Sequence, residues 1–162
     1  MLSQAQRAHL LQQALSEIPV AWAVTTKSDS RSSVELVELR MDLPSPTRPA
    51  EQQLAVLLRP DGDIQIEYHV AGQRGSPFEW LLGPCARREQ ECVTEAKRIV
   101  VDLLAERLVL AYDGRLFRGG RRFVSPSELG AAGRRHLTWV TSWRGTYDWC
   151  HSSSEIPYLV VI

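Results

Sequence analysis

Hydrophobic positions along this chain alternate between two periods, and each switch marks the end of an element. Ala8, Leu11, Leu15 and Ile18 recur at helical spacing behind Ser3 and Gln6, which stand three apart as in a capping box. This predicts a first helix over about residues 4–17, ended by Pro19. The period then drops to two. Val20, Trp22 and Val24 alternate with small Ala21 and Ala23, predicting a strand over residues 20–26, and residues 34–41 read as a second strand with interleaved charges. Residues 42–50 hold three prolines and serve as a connector.

The clearest signal is residues 52–70. Pro60-Asp61-Gly62 separates two alternating runs and fits a type I turn with Gly62 in the left-handed region, so a β-hairpin is predicted with Arg59 opposite Asp63. That register aligns Leu54, Val56, Leu58, Ile64, Ile66 and Tyr68 on one apolar face. The opposite face, with Gln53, Ala55, Leu57, Gln65, Glu67 and His69, is expected to be largely wetted.

Ser76-Pro77-Phe78-Glu79 carries a helix-start signature and predicts a short helix through Leu82, stopped by Gly83-Pro84. The longest helix is expected over about residues 87–106, with a broad stripe of Cys92, Val93, Ala96, Ile99, Val100, Leu103 and Leu104 and a surface ion pair between Arg98 and Asp102. Asp113-Gly114 suggests a second hairpin whose returning strand is interrupted by Gly119-Gly120 and resumes at 121–124. Ser125-Pro126-Ser127-Glu128 repeats the helix-start pattern. Residues 137–143 read as a strand with Leu137, Trp139 and Trp143 on one face, and residues 158–162 as a terminal strand.

Strands joined by turns, with helices segregated from them, make this an α+β chain. The expectation is a single domain over residues 1–162: a mainly antiparallel sheet of about six to eight strands, an N-terminal helix and one long central helix packed on the sheet. The helix–sheet–helix order resembles in layout that of small adaptor, secretion-chaperone-like and toxin-neutralising proteins. Formal charge is zero, but residues 1–85 carry 7 basic and 10 acidic side chains against 12 and 9 in residues 86–162. Strong global attraction to polyanions is not expected from that balance. No apolar run approaches membrane-spanning length and no signal-peptide order opens the chain, so a cytoplasmic protein is expected. Cys85, Cys92 and Cys150 are an odd number, consistent with reduced thiols.

Candidate chemistry is sparse. Cys85, Cys92, Cys150 and His151 lack the close pairing of a structural zinc site, so no metal and no cofactor is assigned. No nucleophile elbow, zinc-protease motif or phosphate-cradling glycine loop occurs. Glu67 and His69 share a strand face two residues apart. The segment 144–151 concentrates Tyr147, Asp148, Trp149 and His151, and Tyr and Trp are among the residue types that dominate interfaces. Residues 115–135 hold six arginines against the single acid Glu128. Arg118, Arg121, Arg122 and Arg135 could neutralise phosphates, with Trp139 and Trp143 as stacking platforms.

These features favour binding over catalysis. The leading expectation is a non-catalytic, adaptor-type protein that holds a protein partner, or a second copy of itself as a homodimer, through a sheet face or the 144–151 segment. One alternative is nucleic-acid binding through residues 115–135. Another is a small hydrolase in which folding brings His69 to Asp148 or His151.

Overall fold

The computed structural model describes residues 2–28, 35–43, 52–70, 78–83, 88–113, 120–130, 137–144, 146–147 and 149–150. It is an α+β protein with antiparallel strands in two sheets and two α-helices, one N-terminal and one central. The five-stranded sheet has the order β1 (Ala23–Ser28), β2 (Glu35–Leu43), β3 (Gln52–Leu58), β4 (Ile64–Val70), β5 (Phe78–Leu82). The four-stranded sheet has the order β7 (Gly120–Val124), β6 (Val109–Asp113), β8 (Leu137–Thr141), β9 (Trp149–Cys150). The expected strands thus divide between two sheets. The chain forms two compact units, and α2 (Glu89–Leu104) contributes its residues through Ile99 to the first and the remainder to the second.

In the first unit, α1 (Gln4–Ser16) starts at the expected capping box. The Ser3 N–H donates to Gln6 Oε1 at 2.8 Å, and the Gln6 N–H donates to Ser3 Oγ at 3.3 Å. Its last turn is served by a residue expected in a strand. The Trp22 indole Nε1–H donates to the Leu15 carbonyl at 3.1 Å, which also accepts the Ile18 N–H at 3.0 Å, and the strand begins only at Ala23. Hairpin β3–β4 forms as read: Arg59 N–H donates to Asp63 O and Gly62 N–H to Arg59 O, both at 2.9 Å. The aligned apolar row is fully buried.

The other hairpin face departs from expectation. Ala55 and Gln65 are buried and their neighbours half-buried, so this side is covered too. Polarity survives there by internal pairing. The Arg59 guanidinium donates to Gln65 Oε1 at 3.0 Å, and Gln65 Nε2 donates to Glu67 Oε1 at 2.8 Å.

Phe78–Leu82 is a strand and not the predicted helix. Its exposure alternates strictly along Phe-Glu-Trp-Leu-Leu, which a pleated edge accommodates, whereas a single helical turn offers too few bonds to offset its nucleation cost. Both members of the expected Arg98–Asp102 pair have other ionic partners as well. Arg98 grips Glu95 in a two-pronged contact of 2.9 and 2.6 Å, and Asp102 binds Arg107 at 2.7 Å.

Three segments of the first unit converge on the hairpin turn. Arg7 of α1 lies against Gly62 and pairs with Glu89 of α2 at 2.8 Å, with both side chains largely covered. Leu10, Leu58, Ile64 and Val93 surround this pair. Gly62 has φ 90°, and a Cβ there would also collide with the Arg7 guanidinium.

Cys92 lies buried on the α2 stripe as expected, but it is disulfide-bonded, which corrects the reading of three reduced thiols. Its partner is Cys85 or Cys150, the other two cysteines of the chain, whose side chains lie outside the described residues. Burial alone does not separate a thiol from a half-cystine, so the apolar stripe was no guide to this bond.

Gly62→Ala should destabilise the chain by about 1–3 kcal/mol in chemical denaturation, and by less in an Arg7→Ala background, where only the backbone strain remains. Thiol titration of the denatured, unreduced chain should find one free thiol, the three cysteines less the two in the bond, and three after reduction.

Candidate functional site

The second unit is built on β6, the central strand of its core. Val109, Ala111, Val124, Leu129, Leu137 and Val140 form a buried cluster against which Tyr147 packs half-buried. Leu129 is brought there by a 3-10 turn, Pro126–Leu129, that realises the predicted Ser125/Glu128 capping box. The returning strand of the predicted second hairpin is Gly120–Val124, and residues 115–118 lie outside the described residues.

The β8 strand differs from its sequence reading in facing. Tyr112 pairs with Trp139 but Asp113 pairs with Leu137, leaving Thr138 as an extra residue. Leu137 therefore packs with Ala111 and Val140, while Trp139 stacks on Tyr112 on the opposite face, with ring centroids 5.7 Å apart. Simple alternation had placed Leu137 and Trp139 together, because an added residue has no signature in hydrophobic periodicity.

Beyond β8 the described residues 142–144, 146 and 147 make a turn, and a carboxylate from the end of α2 organises it. Glu106 takes a left-handed backbone, φ 55°, the only positive φ of a non-glycine residue among the described residues. Its side chain is 8% exposed. One carboxylate oxygen accepts the Arg144 N–H at 2.6 Å. The Ser142 and Thr146 side chains and the Thr146 amide also bond to the carboxylate. Ser142 Oγ in turn accepts the Tyr147 N–H at 3.1 Å, so the contact is relayed from Glu106 to Tyr147. Burial pushes the Glu106 pKa up. The hydrogen bonds from Thr146, Ser142 and the Arg144 and Thr146 amides more than offset this and hold it below its ordinary value.

No family model, curated protein or solved structure matches this chain.

The predicted site residues fall into three groups. Tyr147 is in the organised turn. The backbone of Trp149 pairs with Val140 in β9, while Asp148 and His151 lie outside the described residues. Glu67 and His69 are half-buried on β4, and Glu67 is engaged by Gln65. Arg121 and Arg122 are consecutive on β7, opposite Tyr112 and Ala111 respectively, so they face opposite sides of the sheet; Arg118 and Arg135 lie outside the described residues. Trp139 and Trp143 are 3% and 7% exposed and belong to the core, so neither offers an open ring face for stacking. Among the described residues no group of three His, Cys, Asp or Glu side chains is placed to hold a metal ion. Sequence reading missed Glu106 entirely. The usable signal was a carboxylate at the end of α2 where glycine normally closes a helix.

Hydrogen bonds to a buried charge are worth ~1.5–3 kcal/mol each, so Glu106→Ala should cost on the order of 3 kcal/mol in denaturant unfolding. A depressed carboxyl pKa adds stability above the ordinary carboxylate range that is lost as pH falls through the folded-state value. Wild type should therefore lose more stability than Glu106→Gln between about pH 7 and about pH 3, measured by denaturant titration at each pH.

Proposed function

We propose that this chain is a non-catalytic, adaptor-type protein that binds a protein partner, or a second copy of itself, through the turn that begins at Ser142 and carries Arg144, Thr146 and Tyr147. The observation supporting this reading is the organisation of that turn by Glu106. A buried carboxylate on strained backbone is committed to fixing the shape of a surface segment whose Arg144 and Thr146 side chains are exposed. Pre-ordering of this kind removes part of the entropy cost that a flexible loop meets on binding. Tyr147 fits the role of a rigid aromatic contact, since one side is seated on the core and the rest remains accessible.

The reading includes a cytoplasmic location. No described helix is long and apolar enough to cross a membrane. In that compartment the Cys92 disulfide would belong to the transient or redox-sensing class, since glutathione keeps most cytosolic thiols reduced.

Site-directed photo-crosslinking in the native host tests the proposal. A crosslinker at exposed Thr146 should give a discrete protein adduct, or a species of twice 18.3 kDa for self-association, and one at exposed Glu79 should not. Arg144→Ala should lower the yield on the order of tenfold while the Arg144 backbone amide is retained. Equal labelling from both positions, or none from Thr146, would sink the reading.

A further inference from the structure

Glu106 does two things at once. Its backbone closes α2: the Glu106 N–H donates to Leu103 O at 3.1 Å and the Arg107 N–H to Asp102 O at 2.8 Å, the paired bonds of a Schellman motif with Glu106 at the left-handed position. Its side chain holds Ser142, Arg144 and Thr146. We infer that Glu106 is a clasp coupling the terminal turn of α2 to the turn at 142–147, so that the two are held or released together.

The geometry explains why glutamate occupies a position that suits glycine. Glycine would take φ 55° without strain, but it has no group to meet the Arg144 and Thr146 amides or the Ser142 and Thr146 hydroxyls. The contacts that hold the carboxylate also hold the strained backbone to which it is attached. Releasing the 142–147 turn therefore removes what keeps Glu106 in its left-handed conformation, and unwinding the end of α2 withdraws the carboxylate from the turn. The nearest cation in sequence is engaged elsewhere, since Arg107 binds Asp102. The charge is thus met by neutral donors arranged around it. A partner bound to the 142–147 turn would be sensed at the end of α2. That consequence rests on the binding role proposed for the turn, whereas the clasp rests only on the contacts described.

Hydrogen exchange of the full chain, read by mass spectrometry without any partner, separates the two. Glu106→Gly should speed exchange of the Arg144 and Thr146 amides at least tenfold and leave the Glu106–Arg107 segment protected, because glycine keeps the Schellman bonds. Ser142→Ala combined with Thr146→Ala leaves Glu106 in place and should speed exchange at both 144–147 and 106–107, the latter at least threefold. Unchanged exchange at 144–147 in Glu106→Gly would overturn the clasp. Loosening of 144–147 with no change at 106–107 in the double variant would overturn the coupling, and this arm stands even if removal of the carboxylate prevents folding. If exchange behaves as expected and crosslinking at Thr146 fails, the clasp stands and the binding role falls.

Discussion

The row formed by Leu54, Val56, Leu58, Ile64, Ile66 and Tyr68 is the constraint on which the first unit depends. Each of these side chains is at most 2% exposed, and each such burial is worth ~1.5–3 kcal/mol, so the row far outweighs any single polar contact nearby. A slip of one residue at the Pro60–Gly62 turn would send the whole row to the other face. The fold guards that turn from outside. Arg7 covers Gly62 and is itself held by Glu89, so α1, the hairpin and the start of α2 are fixed at one point by a pair that is largely withdrawn from water. A pair so placed sets geometry more than it adds stability, because desolvating two charges offsets much of their attraction.

The second unit is organised differently. Its apolar cluster around Val109, Ala111 and Val140 supplies the burial, but the path of the chain after β8 is specified by polar groups. The relay from Glu106 through Ser142 to Tyr147 gathers several donors around one carboxylate, and those bonds are what make a buried charge tolerable. Hydrophobic order establishes that unit, and one carboxylate shapes its surface turn.

Legibility in the sequence followed the range of the interactions. Local signals read well: the Ser3/Gln6 and Ser125/Glu128 capping boxes, the Pro60–Gly62 turn and the apolar stripe of α2 each involve residues a few positions apart and obey strong steric rules. What failed was decided at a distance. Ser-Pro-Phe-Glu announces a helix, but a ladder partner in β4 made Phe78–Leu82 a strand. Gln65 looked wetted, yet it is buried because Arg59 and Glu67 satisfy it. The bond at Cys92 and the role of Glu106 depend on partners that no periodicity encodes. Of the candidate site, the concentration of aromatic and polar residues after Arg144 was visible, and the means of holding it was not.

The extra residue in β8 has a further consequence. Deleting Thr138 would make that strand regular, restoring uninterrupted pairing with β6, and would leave Leu137, then adjacent to Trp139, on the face of the cluster around Ala111. Here an uninterrupted ladder and an intact interior are compatible, because Thr138 takes part in none of the pairs. A codon lost at Thr138 would accordingly act as a small trim, whereas one lost at the paired Val140 would act as a frameshift of side-chain facing.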